Sequence, residues 1–287
     1  MARRILSLWL PRLASERALR RAGVEGVPLA IIERRGPAEQ IACLSPAAEA
    51  LGLRRGQPLA EARALAPGLI TRPADPEGQA QMLAALNRWS LRYAPWGAVE
   101  GADGLVLDIT GSAHLMGGEA ALAADLHARL QAAGFTARLG LAPTRGAAWA
   151  LARFAREPVA LATEAGAALD PLPIAALRLP PETVEALARL GLRQVRDLTR
   201  TPRAALIRRF GPELALRLDQ ARGAVAEPVA PTPPSAPFAV RLTLPEPIGL
   251  SADVMAALVR LLDRLCTRLE DAGRGARHLR LELARTD

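Results

Sequence analysis

The sequence contains no lysine, so all 37 basic residues among its 287 are arginines. The acidic residues number 29, which leaves a formal net charge of +8. Replacement of lysine by arginine in a GC-rich genome accounts for much of this bias without any function. Arginine nevertheless suits phosphate contacts, because its planar guanidinium group binds two oxygen atoms at once. A chain this basic is therefore compatible with a polyanionic partner.

Cysteine is scarce as well, and long apolar runs are missing. Cys43 and Cys266 lie far apart, and neither has a histidine or a second cysteine nearby, so the sequence indicates no disulfide, no metal site and no cofactor. We expect both to be small core residues. No apolar run approaches the ~20 residues of a membrane span, and the run Ile5–Leu10 ends at Pro11, too soon for a signal peptide. We therefore expect a cytoplasmic protein.

The charges are unevenly distributed along the chain. Residues 1–73 contain 12 arginines against 6 acidic residues, and residues 174–222 contain 10 against 5. Residues 74–173 contain 7 arginines against 10 acidic residues, so the middle of the chain is mildly acidic. This pattern predicts a scaffold whose basic outer parts bind a polyanion such as nucleic acid.

Short apolar runs alternate with segments of helical periodicity in the first part of the chain, which predicts an α+β domain with an α/β sheet. The predicted strands are Ile5–Leu10, Pro28–Glu33, Glu39–Leu44, a hairpin strand within Ala98–Gly118, Phe135–Leu141 and Pro158–Ala160. The predicted helices are Pro46–Leu51, Leu59–Leu65, Pro76–Tyr93, Gly118–Gly134 and Arg145–Ala155.

From Leu172 onwards the pattern becomes helical with short loops. The predicted helices here are Pro181–Leu190, Gln194–Leu198, Arg203–Phe210 and Glu213–Ala221. The proline-rich segment Gly223–Pro237 predicts a semi-rigid linker. After the linker we expect a strand at Phe238–Leu244, a helix at Ala252–Ala272 and a strand at His278–Ala284. Two strands and one helix are too little for a finished domain, so we expect the natural chain to continue past Asp287.

Three strings resemble the Y-family of translesion DNA polymerases, and most closely its ImuB-type branch of polymerase-like proteins without catalytic residues. These strings are ILSLWLPRLASERALRR, GLVLDITGSAHLMGGEAAL and GLAPTRGAAWALARF. The resemblance covers nearly the whole chain and implies the Y-family architecture. It implies a palm from residues 1–10 and 74–166, fingers at 11–73, a helical thumb with a helix–hairpin–helix at 167–222, a linker at 223–237 and a partial little finger at 238–287.

The sequence departs from the active family at the catalytic positions. Where active members end the first strand with a metal-binding carboxylate, this chain has Trp9, and where they have Asp-Glu it has Asp103 followed by Gly104. The fingers offer Pro46 and Glu49 in place of the Tyr and Arg that contact the incoming triphosphate. Phosphoryl transfer by this family needs two metal ions ~4 Å apart, held by several carboxylates. We therefore predict no catalytic residue and no bound metal, with Asp103 as a vestige.

Asp103 also has a simpler interpretation. Asp-Gly is a common pair in a two-residue hairpin turn, so Asp103 and Gly104 could do no more than shape that turn. Asp108 alternates with buried positions, which indicates a surface acid or one with local hydrogen bonds rather than a metal ligand.

Candidate contacts to DNA lie mainly in the predicted thumb. The segment Leu177–Arg200 resembles the family's helix–hairpin–helix, whose turn directs backbone N–H groups at a phosphate. The turn is weakened here, because Leu179-Pro180-Pro181 stands where Pro-Gly-Ile-Gly is expected. Solvated arginines on helix surfaces are the alternative interpretation. The candidate residues are Arg145, Arg189, Gly191, Arg193, Arg196, Arg208 and Arg209.

The resemblance implies a non-catalytic scaffold that binds primed or damaged DNA during translesion synthesis. Such relatives bring together an error-prone DNA polymerase, a RecA-like accessory subunit and the sliding clamp, and we expect the clamp-binding peptide beyond Asp287. The first alternative is an active translesion polymerase, in which Glu100 and Asp108 would supply the missing carboxylates. The second alternative is a protein–protein adaptor that no longer binds DNA.

Overall fold

A computed structural model describes residues 3–36, 38–229, 238–244, 249–273, 275, 276, 279–281 and 283. The chain divides into two compact units, Met1–Thr232 and Pro233–Asp287. Within the described residues, no helix is both long and apolar enough to cross a membrane.

Eight strands form two sheets in the described part of the first unit. The strands are β1 Ile5–Trp9, β2 Leu29–Arg35, β3 Ala38–Leu44, β4 Ile70–Pro73, β5 Trp96–Glu100, β6 Gly104–Asp108, β7 Arg138–Ala142 and β8 Val159–Leu161. The larger sheet has the order β5-β6-β1-β7-β8, and β1 at its centre is antiparallel to both neighbours. The smaller sheet has the order β3-β2-β4.

Eleven helices of the described part of the first unit surround the sheets, and one more lies in the second unit. They are α1 Leu13–Ala22, α2 Pro46–Ala50, α3 Leu59–Leu65, α4 Pro76–Ser90, α5 Glu119–Ala132, α6 Arg145–Phe154, α7 Ala165–Leu169, α8 Pro181–Arg189, α9 Val195–Arg200, α10 Arg203–Phe210, α11 Pro212–Arg222 and α12 Ser251–Asp271. Two short 3-10 helices lie at Ala113–Met116 and Ile174–Leu177.

The larger sheet is buried on both faces. Successive side chains of a strand point to opposite sides, so β1 contributes residues to the core on each face. Leu6 and Leu8 of β1 pack in one core cluster with leucines of α4 and α5. Ile5 of the same strand belongs to a second cluster that includes α6 and the helices of residues 165–221. This two-sided core places the end of β1, the β5–β6 turn and α6 beside one another.

Most predicted elements are present, with ends shifted by a few residues. Leu59–Leu65 and Arg203–Phe210 form helices with the predicted bounds. The sequence analysis did not include α1 or β4. β4 is short and largely exposed, and β2 is its parallel partner, so its ladder depends on a contact across about 40 residues.

The β5–β6 turn differs from the two-residue hairpin that Asp103 and Gly104 predicted. Glu100 pairs directly with Gly104, so the turn has three residues, 101–103, and Gly104 is the first residue of β6. Gly101 takes the left-handed conformation that the turn requires, with φ of 65°.

The second unit also departs from the prediction. Phe238–Leu244 forms no strand, because the described residues of this unit offer it no ladder partner. Much of the predicted strand His278–Ala284 lies outside the described residues, and 279–281 and 283 form no strand. Cys266 is exposed on α12 and is not the core residue that we expected, whereas Cys43 is buried as predicted. Residues 230–237 of the predicted linker also lie outside the described residues.

Candidate functional site

The end of β1 and the β5–β6 turn meet at one edge of the larger sheet. Trp9 pairs with Gly104 in the β1–β6 ladder, and the N–H of Leu10 donates to the carbonyl of Asp103 at 2.8 Å. The Trp9 indole Nε1 donates to the Asp103 carboxylate at 2.8 Å. The residue that replaces a metal ligand in the predicted alignment therefore holds the one acid that remains of the Asp-Glu pair.

Arg153, in the last turn of α6, is the second partner of Asp103. Its Nη2 atom lies 3.5 Å from an oxygen of Asp103. The guanidinium carbon lies 4.3 Å from the ring centroid of Trp149 and 5.4 Å from that of Trp9, so two indoles flank the cation. Burial lowers the pKa of Arg153 below its usual value, and the charges of Asp103 and Glu100 offset this effect only in part. The Nη1 atom is buried without a hydrogen-bond partner among the described residues.

Glu100 lies at the end of β5 and is paired with Arg145. The Arg145 Nε donates to Glu100 at 2.8 Å, and the Ser7 hydroxyl lies 3.4 Å from the other oxygen of Glu100. Arg145 is the first residue of α6, and Thr144 caps this helix by accepting from the N–H of Ala147 at 3.1 Å. The side chain of Glu100 is only 8% exposed, so removing Arg145 would leave a buried carboxylate without its ion-pair partner.

A third acid, Glu227, joins the same network from the segment after α11. It forms a bidentate pair with Arg178, with distances of 2.8 and 2.7 Å, and lies 3.9 Å from Arg145. Burial raises the pKa of Glu227, but the hydrogen bond and charge of Arg178 and the charge of Arg145 outweigh it, so the pKa lies below its usual value. Arg178 has a left-handed backbone with φ of 59°, a conformation that is strained for a residue with a side chain.

Each of these three carboxylates already has a guanidinium partner. Asp103 is paired with Arg153, Glu100 with Arg145, and Glu227 with Arg178. Throughout the described part of the chain, no group of three or more His, Cys, Asp or Glu residues could hold a metal ion. The negative charges of these three carboxylates are therefore balanced by arginine side chains.

The position next to Asp103 has little room for a second acid. A Cβ atom at Gly104 would lie 3.0 Å from the carbonyl oxygens of Glu100 and Leu8, and 3.2 Å from Nη2 of Arg153. Side chains at this position would therefore meet backbone and the Arg153 cation.

A cleft of about 1230 Å³ opens beside Trp9 and Arg153. Its lining includes Pro46 and Glu49, which the sequence placed where a triphosphate would be contacted. Glu49 forms an ion pair with Arg12 across the cleft lining. Arg12 therefore offsets the charge of Glu49 at the position where the resemblance expects an arginine that contacts the triphosphate.

The predicted DNA contacts fall into two groups. Arg145 belongs to the acid network just described. Arg189 ends α8, 77% exposed, and pairs with Glu185 at 3.5 Å. The other four predicted arginines are exposed, in the loop before α9, on α9 and on α10: Arg193, Arg196, Arg208 and Arg209.

Gly191 lies in the turn between α8 and α9 with φ of 81°. Its N–H donates to the carbonyl of Ala188 at 3.0 Å, so this group is used inside the turn. A Cβ atom at this position would have nothing within 4 Å. Glycine is therefore favoured here by the left-handed backbone conformation and not by a lack of space.

The sequence predicted no site role for four of these residues, Arg153, Trp149, Arg178 and Glu227. One local signal was available for two of them. Trp149 and Arg153 are four residues apart in a predicted helix, and side chains at that spacing are neighbours on the helix surface. The remaining pairs join residues that are 45 to 50 positions apart, as for Glu227 with Arg178 and Arg145 with Glu100.

Comparisons with known proteins agree on one class. Residues 13–153 match the impB/mucB/samB family. The ternary insertion complex of Dbh DNA polymerase superposes with a TM-score of 0.66 at 19% identity, over 79% of this chain and 69% of that one. DinB from Sulfolobus solfataricus gives a TM-score of 0.62 at 20% identity over the same shares. The fold is thus that of a Y-family polymerase, and residues 13–153 resemble the impB/mucB/samB family.

A more specific relationship comes from sequence. Protein ImuB of Caulobacter vibrioides is 44% identical over 238 residues, which are 83% of this chain and 52% of that protein. DNA polymerase IV of Legionella pneumophila is 27% identical over 239 residues, which are 82% of this chain and 67% of that protein. The chain is a homologue of ImuB and spans about half the length of the ImuB relatives that it matches. The predicted resemblance is confirmed.

Proposed function

We propose that this chain is a non-catalytic, DNA-binding scaffold for translesion synthesis. One observation carries the proposal: Asp103 is hydrogen-bonded by Trp9 and paired with Arg153, and Gly104 stands beside it. A two-metal centre needs several free carboxylates, whereas these acids are neutralised by arginines. The predicted absence of catalytic residues, of a bound metal and of a cofactor belongs to this proposal.

The predicted domains supply the scaffold. The proposed palm comprises residues 1–10 and 74–166, with the fingers at 11–73, the thumb at 167–222, the linker at 223–237 and the little finger at 238–287. The likeness in fold to Y-family polymerases supports this division. The homology to a DNA polymerase IV supports primed or damaged DNA as the ligand.

The exposed arginines of the proposed thumb would hold the DNA backbone. Arg193, Arg196, Arg208 and Arg209 are exposed on a helical segment with an excess of arginine. Contacts of this kind neutralise phosphates and release counterions, so the binding constant falls linearly with salt on logarithmic axes. They fix the protein on the duplex without reading its sequence.

The homology to ImuB supports the proposed partners. These are an error-prone DNA polymerase, which would carry out the synthesis, a RecA-like accessory subunit and the sliding clamp.

Two assays test the proposal on the same preparation. Primer extension with Mg²⁺ and with Mn²⁺ is expected to yield no incorporation. Fluorescence anisotropy on a primed duplex is expected to show binding that weakens steeply with salt. Incorporation that disappears in Asp103→Ala would instead support the active polymerase.

The arginines can be tested against a matched control. We expect Arg193→Ala/Arg196→Ala and Arg208→Ala/Arg209→Ala each to weaken DNA binding and to reduce the salt slope by about one per lost phosphate contact. Arg88→Ala/Arg156→Ala removes two exposed arginines from the acidic middle of the chain and should change neither. Absence of DNA binding by the unaltered chain would favour the protein–protein adaptor.

A further inference from the structure

Glu227 lies five residues after α11, yet its carboxylate is held at the acid network beside the larger sheet. The side chain is 10% exposed, and both of its oxygens accept from Arg178. The backbone is held as well, because Arg3 donates to the Glu227 carbonyl at 3.0 Å and Arg145 donates to the Pro228 carbonyl at 3.4 Å. Three arginines therefore hold this short segment in place.

The groups around Glu227 suit a phosphate. Arg178 presents a planar fork, and Arg145 brings a second guanidinium at the first residue of the ten-residue helix α6. Arginine forks bind carboxylate and phosphate with the same two-oxygen geometry, and a helix N-terminus adds favourable potential for an anion.

One donor of the Arg178 guanidinium group is not satisfied by the carboxylate. The Nε of Arg178 is buried and has no hydrogen-bond partner among the described residues. Arg178 also keeps a left-handed backbone, a strain of the kind that persists at binding sites. A phosphodiester has two ester oxygens in addition to two anionic oxygens that match those of a carboxylate, so it has a further acceptor for the remaining donor.

We propose that Arg145 and Arg178 form a phosphate-binding site and that Glu227 occupies it as an intramolecular substitute for a phosphate group. A phosphodiester of bound nucleic acid displaces Glu227 and takes its place. This inference rests on the proposed DNA-binding function and adds a competitor within the chain.

The covalent connection of Glu227 to the same chain determines which phosphates can compete with it. A carboxylate on the same chain acts at an effective concentration of about millimolar, so a single free phosphate group competes poorly. A DNA duplex makes several contacts at once and can displace Glu227 when the neighbouring contacts are in place. Glu227 would thus weaken binding to isolated phosphates more than binding to a well-seated duplex.

The test compares Glu227→Gln with a control of equal charge. Glu77→Gln removes an exposed acid from the first turn of α4, so it changes the net charge equally without freeing a predicted DNA contact. Anisotropy on a primed duplex is expected to show about tenfold tighter binding for Glu227→Gln, the effect of one added charge-assisted contact. Its salt slope should be steeper, and Glu77→Gln should stay within about twofold of the unaltered chain.

Two more variants separate charge from folding. Glu227→Asp keeps the carboxylate and should bind DNA like the unaltered chain, whereas Glu227→Ala should behave like Glu227→Gln. Thermal unfolding of each variant checks that it is folded. DNA affinity of Glu227→Gln equal to or below that of the unaltered chain overturns the inference and leaves the proposed function standing.

Calorimetry with pyrophosphate, without metal, decides the matter if no form of the chain binds DNA. That result would reject the proposed function. Pyrophosphate binding to Glu227→Gln that is lost in Arg178→Gln/Glu227→Gln would still support the phosphate site, with free phosphate as its source. No pyrophosphate binding to Glu227→Gln would then overturn it.

Discussion

At the scale of single residues, Gly104 determines what can occupy the edge of the sheet beside Asp103. Substitution Gly104→Glu returns a carboxylate to the place where active relatives are expected to have one. We expect no primer extension from this variant, because Trp9 and Arg153 still hold Asp103. We also expect a loss of about 1–3 kcal/mol in the free energy of unfolding, because the new Cβ meets two backbone oxygens at 3.0 Å.

The control for this substitution is Ala102→Glu, which adds the same charge two residues earlier at an exposed position of the turn. Urea unfolding should leave Ala102→Glu within about 0.5 kcal/mol of the unaltered chain. Nucleotide incorporation by Gly104→Glu would show that a single lost carboxylate had silenced the chain and would contradict the proposed role of Arg153.

Tyr93, the one tyrosine of the chain, provides a test by titration. Burial and a hydrogen bond to Asp125, at 2.6 Å, raise its pKa to about 12. The neutral phenol is favoured in the fold, so its stabilising effect is complete below the unfolded pKa of about 10 and is lost as the pH rises towards 12.

Tyrosinate absorbance near 295 nm measures this directly, with Tyr93→Phe as the blank. A midpoint near pH 10 in the folded protein would contradict the Tyr93–Asp125 contact. A midpoint near pH 12 that falls to about 10 in urea is the expected result.

At the scale of elements, α6 carries much of the site, because Arg145, Trp149 and Arg153 all belong to it. The helix packs against β7 at Gly140, where a Cβ would lie 2.1 Å from the Ala148 carbonyl oxygen. We expect Gly140→Ala to force α6 away from the sheet and to cost about 3 kcal/mol of unfolding free energy.

Gly68→Ala is the matched control, since nothing lies within 4 Å of a Cβ there and its backbone is not left-handed. Chemical unfolding should place this control within about 1 kcal/mol of the unaltered chain. Equal stability of the two variants would mean that α6 and β7 are farther apart than in this structure.

The start of α9 depends on Asp197, which accepts from the N–H groups of Arg193 and Gln194 at 3.0 and 2.9 Å. These backbone bonds lower the pKa of Asp197. Its contribution is therefore present at neutral pH and is lost as the pH falls below the usual aspartate range.

We expect Asp197→Ala to lower the thermal unfolding midpoint at pH 7 and to lower it less at pH 3. Glu182→Ala, in the exposed first turn of α8, is the comparison at both pH values. Thermal unfolding measures the difference, and an equal effect of Asp197→Ala at pH 7 and pH 3 would contradict the cap.

At the scale of the whole molecule, the first unit contains its own core. Among the described residues, its four clusters of packed apolar side chains include no residue later than Val229. In the second unit, Leu269 is the one apolar side chain among the described residues that is buried. A fragment of residues 1–232 is therefore expected to fold with an unchanged unfolding midpoint.

Tryptophan fluorescence suits this measurement, because all four tryptophans lie in the first unit, at positions 9, 89, 96 and 149. Urea titration of the fragment and of the full chain should give coincident curves. A lower midpoint or aggregation of the fragment would show that residues 233–287 are needed for the core.

Much of the fold was predictable from local pattern. Hydrophobic periodicity, together with Gly and Pro at the ends of elements, predicted strands such as β1 and helices such as α3 and α10. These signals depend only on residues that are close in sequence. The three-residue turn before β6 and the strand β4 were not predictable in this way. The length of the turn depends on the register between β5 and β6. The strand β4 depends on pairing with β2, which lies about 40 residues earlier in the chain.

The sequence by itself determined which ligands a metal site would lack, since Trp9 and Gly104 stand where the resemblance expects carboxylates. Only the tertiary structure decided what replaced them. Arg153 lies 50 positions from Asp103, and Glu227 lies 49 from Arg178, yet each pair is in contact. Electrostatic pairing depends on distance in space rather than along the chain, so a pattern of neighbouring residues carries no record of it.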